Sequence, residues 1–360
     1  MGKKIAIATF HAAHNYGAVL QTYALYKTLQ KLGHDVYLLD YSPKNLIKSY
    51  TLFPKRECYN NFISYSKAWL SLFLDYSRRY NRYSRFNNFI DKNFKILPSS
   101  IKNIDVIVVG SDQIWNPNIT DGLDGNYFGV CESVSADMVF SYAASMGVSS
   151  LKDKDELDFV KFLSNLKNIG VRELSLKEYV TTLTKREVSV NLDPTLLLNK
   201  DEWSVSTNKT SREKYLLIYE VKEHPNTSLV AQKIASRLGL KIVVLAAKTN
   251  HKISKSILTD KSPEDFLELF KNAEFIVTTS FHGTVFSIIN EKNFFTLEFG
   301  NDIDLRSKYL LSQVGLEDRF VNDSSMIDQK QLHIDYHDTK NNLDSLRSHS
   351  IDYIRSSLRD

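Results

Sequence analysis

Residues Val106 to Pro117 read VIVVGSDQIWNP. A run of apolar, β-branched residues marks a strand buried on both faces, the pattern of a parallel sheet covered by helices. The run stops at Gly110 and then delivers Ser111, Asp112, Gln113, Trp115 and Asn116 within six positions. This cluster falls at the carboxyl end of the strand, where open α/β sheets bind their ligands. Ser111 and Asp112 alone would suit a helix cap. Trp115 and Asn116 exceed that need, so the whole cluster is predicted to line a binding site.

Strand-like and helix-like patterns alternate outward from this stretch. Strands are predicted at 4–9, 36–40, 105–109, 139–143, 169–172 and 188–192, then at 215–221, 241–246, 275–279 and 294–298. Helices are predicted near 18–31, 60–92, 155–166 and 175–183, then 226–237, 263–271, 284–290 and 306–314. Such alternation specifies parallel sheets with helical crossovers, here in two doubly wound units. The polar stretch 204–214 is the best linker. The predicted organisation is therefore a domain over 1–203 with an insert at 44–102, a second domain over 204–330, and a helical tail over 331–360.

Composition bounds the class. A chain of 360 residues with 42% hydrophobic and 24% charged content is an ordinary globular protein large enough for two cores. Cys58 and Cys131 are too few for a disulfide framework. The start, MGKKIAIATF, is strand-like rather than a secretory leader, and no stretch approaches ~20 apolar residues, so a cytoplasmic location is expected. The net charge of +4 hides an uneven distribution, because 44–102 holds twelve Lys/Arg against three Asp/Glu. That segment is also rich in Tyr and Phe. No recognised nucleic-acid module accompanies it, which leaves contact with an anionic membrane at the inner leaflet or a solvated basic helix face.

Two further loops follow predicted strands. The first, FHAAHNYGAVLQ, places His14, Asn15, Tyr16 and Gly17 at the start of a helix, whose N–H groups can hold an anion or be capped by Asn15. No dinucleotide or Walker glycine pattern is present. The second, EFIVTTSFHGTVFSIIN, ends a buried strand in Ser280, Phe281, His282 and Gly283 and enters a helix at once. A histidine there can donate a hydrogen bond or carry a proton. Asp302-Ile303-Asp304 has the D-x-D form of some metal sites but also suits a helix N-terminus, and no metal is expected.

Taken in order, NYGAVLQTYAL, GSDQIWNP, SYAASMG, VRELSLKEY, LDPTLLL, SFHGTVFSIIN and GLEDR resemble the polysaccharide pyruvyl transferase family over about residues 4–319. The resemblance implies two Rossmann-like domains facing across a cleft, similar to GT-B glycosyltransferases. It also implies transfer of pyruvate from phosphoenolpyruvate to a free or lipid-linked saccharide as a cyclic ketal, with no further cofactor. On that basis the first domain would bind the acceptor through His14, Asn15, Tyr16, Gly17, Ser111, Asp112, Gln113, Trp115 and Asn116. The second would bind the donor through Ser280, Phe281, His282, Gly283 and Arg306, joined by Arg172. His282 and Asp112 would be the catalytic pair, with Asp193 either a second carboxylate or the cap of a turn. Several branches of the family carry an arginine two positions before the histidine. Here Ser280 stands there, leaving the anion's charge to Arg172 and Arg306. A nucleotide-sugar glycosyltransferase and a non-catalytic assembly partner are the alternatives.

Overall fold

The computed structural model describes residues 2–43, 46, 51–148, 150–203, 213–246, 257–328 and 332–359. Most of the expected linker and the first residues of the 44–102 insert lie outside them. Packing divides the chain into two units, Met1–Leu198 with Leu346–Asp360, and Asn199–Ser345.

In the first unit, β1 (Lys4–Ala8), β2 (Asp35–Leu38), β3 (Asn103–Val109) and β4 (Ser135–Ser141) form a sheet of order β2-β1-β3-β4. Every pairing is parallel. β3 is central, which explains its apolar run: Val106 to Val109 are fully buried. β5 (Ile169–Val171) and β6 (Val188–Val190) make a short parallel pair, joined to the chain beyond β4 by a parallel bridge between Ala144 and Val171. The crossovers carry α1 (Tyr16–Lys31), α2 (Phe62–Leu74), α3 (Tyr76–Asn93), α4 (Asp153–Leu163) and α5 (Leu174–Thr184). The expected helix over 60–92 is two helices. Asp75 leaves helical geometry between them, with φ −130° and ψ 23°.

In the second unit, β7 (Tyr215–Glu220), β8 (Lys241–Ala246), β9 (Ile257–Leu258), β10 (Phe275–Thr278), β11 (Asn293–Leu297) and β12 (Phe320–Val321) form one parallel sheet of order β9-β8-β7-β10-β11-β12. This is the 3-2-1-4-5-6 order of a Rossmann fold. Its helices are α6 (Thr227–Leu238), α7 (Pro263–Asn272), α8 (Phe281–Ile289) and α9 (Leu305–Val314). The edge strands β9 and β12 are two residues long, too short for any alternation to announce them in the sequence.

The last helix, α10 (His337–Arg359), is not the separate tail expected over 331–360. From Leu346 onward it belongs to the first unit. Arg347 Nε donates to Leu196 O (2.8 Å), Ser350 Oγ accepts from Leu192 N (3.0 Å) and Tyr353 Oη donates to Ser141 O (2.9 Å).

Candidate active site

In the first unit the strand order reverses between β1 and β3, so the loops after those two strands share the switch point where such sheets bind ligands. They touch directly: Thr9 Oγ1 donates to Ser111 O at 3.0 Å. Gly110 has φ +120°, and a Cβ there would stand 2.2 Å from Tyr142 O, so only glycine lets the loop run this close to β4. Ser111 is fully buried and donates to Ala143 O (2.8 Å). Asp112 follows with φ +75°, a left-handed conformation that aspartate tolerates better than most residues. It remains partly exposed, with Oδ1 accepting from the backbone of Gln113 at 2.8 Å.

Trp115 and Asn116 of the quoted cluster are buried in contacts that hold the fold. Trp115 was expected to meet the acceptor. Instead it is fully buried, donates Nε1–H to Tyr127 O (2.9 Å) and stacks on Phe128 with centroids 5.2 Å apart. An indole gains more from that apolar core than from solvent. Asn116 caps the short turn Pro117–Thr120 by accepting from Asn118 N, and its amide donates to Gln113 Oε1 (2.9 Å).

Beyond β4 and β5 lies a buried charged network. Arg172 was expected to hold the donor's carboxylate or phosphate. It is buried, with Nη1 2.6 Å from Asp193 Oδ2 and Nε 3.5 Å from Glu173 Oε1. Burial opposes its charge, but Glu173, Asp193 and Asp112 outweigh that and raise its pKa. Ser145 Oγ donates to Glu173, while Ser145 N donates to Asp112 O at 3.0 Å. Asp193 also caps the turn after it, accepting from Thr195 N and Oγ1. One guanidinium among three carboxylates leaves this end of the unit acidic, a setting for hydroxyl groups rather than for a phosphate.

The loop after β1 shows the same internal use of polar groups. Asn15 Oδ1 accepts from Gly17 N and Ala18 N, and Val19 N returns to Asn15 O, so these N–H groups are held by the cap. Tyr16 is buried against Phe86 and beneath the Arg82 guanidinium, and Arg82 Nη2 donates to His14 O at 2.8 Å. The His14 ring lies between Tyr83 and Phe86, where burial pushes its pKa down to about 4.

In the second unit the order reverses between β7 and β10. Ser280, Phe281, His282 and Gly283 follow β10 at this switch point. A Cβ on Gly283 would stand 2.0 Å from Thr278 Oγ1, so glycine is what allows α8 to start directly on the strand. The Ser280 side chain makes no capping hydrogen bond to α8, in contrast with Asn15 on α1. His282 is buried in the first turn, 5.2 Å from the Phe281 ring, and the Arg306 guanidinium lies over that ring at 5.4 Å. All the donor residues expected of this unit thus gather around one helix N-terminus. Glu220, at the end of β7, was not foreseen. It is buried, accepts from His224 N (3.0 Å) and Thr227 Oγ1 (2.9 Å), and burial raises its pKa.

Asp304 of the D-x-D triplet accepts from the backbone N–H groups of Phe299, Gly300 and Asn301, which fixes the loop before α9. Among the described residues no group of three or more His, Cys, Asp or Glu could hold a metal ion.

A family model for polysaccharide pyruvyl transferases matches residues 15–301. The chain belongs to the polysaccharide pyruvyl transferase family. The match to this family takes in both switch points, from Asn15 to Gly283. No curated protein matches the chain in sequence. Among solved structures, a Listeria monocytogenes protein assigned as a UDP-N-acetylglucosamine 2-epimerase is similar with a TM-score of 0.55 at 9% identity, covering 100% of this chain and 96% of that one. Another UDP-N-acetylglucosamine 2-epimerase gives 0.53 at 12% identity, covering 98% and 95%. At such identities the family's fold is what these structures share: mixed α/β with parallel sheets, of GT-B type.

Ser145, Glu173 and Glu220 escaped the sequence reading. For Glu173 a signal was present, since an Arg-Glu pair directly after a buried strand must be neutralised where it lies. Ser145 and Glu220 carry no such mark.

Proposed function

We propose that this family member transfers the pyruvyl group of phosphoenolpyruvate to a saccharide and forms a cyclic ketal on two of its hydroxyls. The observation that carries the proposal is the gathering of Arg306, His282 and the α8 N-terminus at the switch point of the second unit. A guanidinium and oriented N–H groups are what a phosphate and a carboxylate require. The acidic end of the first unit suits the other substrate, whose hydroxyls must lose protons.

The chemistry balances with these groups. One hydroxyl adds to C2 of phosphoenolpyruvate while the methylene carbon gains a proton and becomes a methyl group. The C2–O bond to phosphate then breaks as the second hydroxyl closes the ring. Two protons leave the hydroxyls; one is taken up at the methylene and the other departs with phosphate. In this scheme His282 supplies the methylene proton and Asp112, the partly exposed carboxylate of its cluster, receives a hydroxyl proton.

The test is incubation with phosphoenolpyruvate and a panel of saccharides, free and lipid-linked, scored by phosphate release and product mass. Millimolar phosphoenolpyruvate should also raise Tm without added metal, because a ligand that binds only the folded state stabilises it. Stabilisation confined to nucleotide sugars would identify a glycosyltransferase instead. Binding of phosphoenolpyruvate without release of its phosphate in the presence of any saccharide would favour a non-catalytic role.

A further inference from the structure

We propose that α2 is a membrane-docking helix that lays its apolar face into an anionic bilayer. The inference goes beyond the transfer reaction and does not rest on it. At 100° per residue, Phe62, Ile63, Trp69, Leu70, Phe73 and Leu74 fall within an arc of about 140° on one side of the helix. That side is the outer one: Phe62 is 70% exposed, Phe73 81% and Leu74 76%. The opposite side carries Ser64, Ala68 and Leu72, and Leu72 alone is buried. An amphipathic helix normally turns its apolar stripe to the core. Here the larger stripe faces outward, interrupted in its middle by Ser66, and forms an exposed apolar surface of the kind that marks an interaction site.

Charge complementarity selects the occupant. Residues 51–93 hold eight Lys/Arg against three Asp/Glu, a net +5, and α2 itself contains Lys67 and no acidic residue. A second copy of this chain would bring two such cationic segments together. Anionic headgroups attract them, and Trp69 with the exposed Tyr76 and Tyr80 suits the headgroup level. Among the described residues no helix is long and apolar enough to cross a membrane, so the contact is a shallow one along the surface.

The structure limits which cations can take part. Arg82 is committed to His14 and the Tyr16 and Phe86 rings, and Arg78 is paired with Asp75. Lys55, Arg56, Lys67 and the outer part of Arg79 remain on the surface beside α2.

Sedimentation of the full chain with phosphatidylcholine vesicles, with and without 30% phosphatidylserine, tests the proposal. We expect at least ten-fold more bound protein on the anionic vesicles at low salt. Trp69 fluorescence should shift to the blue on binding, and Trp69→Phe should lose that shift. Leu70→Asp with Phe73→Asp should abolish binding while the urea midpoint is unchanged, because both side chains are exposed. Replacing Lys55, Arg56, Lys67 and Arg79 by Gln should remove the preference for anionic lipid. Equal binding to both vesicle types would overturn the proposal, as would undiminished binding by the double aspartate variant. So would light scattering that shows a dimer dispersed by that variant, since the face would then be covered by a second copy.

Discussion

His282 and Arg172 show how differently two conspicuous residues can be used. His282 sits at the switch point of its sheet beside Phe281, whose ring lies under the Arg306 guanidinium, and a group that carries a proton in the transition state contributes roughly 10²–10⁴-fold. His282→Ala should therefore lower turnover by that factor while the folded structure is kept, as far-UV circular dichroism reads it; near-normal turnover would exclude a catalytic role. Arg172 is held inside by Asp193 and Glu173. Removing one partner of a buried pair strands the other's charge, at a cost of about 3–5 kcal/mol. Asp193→Ala should lose that much in urea unfolding, and a loss below about 1 kcal/mol would show that the pair does not hold this end of the unit together. The letters of both motifs were legible in the sequence, but their roles were not equally so. Ser280 to Gly283 could be placed because a glycine and a helix start fix where they must lie. Trp115 could not, because an aromatic residue after a strand turns inward or outward according to neighbours such as Tyr127 and Phe128 that are remote from any local pattern.

At the scale of elements, the central strands were legible because burial on both faces leaves only apolar residues, as in Val106–Val109 and Phe275–Val277. The break between α2 and α3 was not, because Asp75 is an acceptable helix residue and only its geometry ends the helix. α3 reaches α1 through Arg82 and through the aromatic seat of the His14 ring. That seat has a measurable signature. The His14 pKa is depressed to about 4 from an ordinary 6.5, chiefly by burial, so the folded state favours the neutral ring. Its contribution to stability is full above about pH 6.5 and is lost as pH falls towards 4, where the folded protein must also take up the proton. His14→Phe should thus flatten the dependence of the urea midpoint on pH over that window. An unchanged slope would mean that the ring is hydrated in the folded protein.

For the whole molecule, each unit has its own sheet and its own buried core. The first core is nonetheless incomplete without the end of the chain, since Arg347, Ser350 and Tyr353 cover backbone groups of Ser141, Leu192 and Leu196. Truncation after Ser345 removes these bonds together with the contact of Tyr353 on Phe140 and Tyr142. In scanning calorimetry the truncated chain should show a lowered transition for the first unit and an unchanged one for Asn199–Ser345. A single transition, shifted as a whole, would mean instead that the units unfold together. The same helix sets an order on biosynthesis. A ribosome adding about 5–20 residues each second needs roughly seven to thirty seconds to pass from Leu198 to Leu346. Throughout that interval the earlier-made half waits with the flank of β4 uncovered. The half made later can close first, so the N-terminal unit becomes native only once the segment from Leu346 has been made.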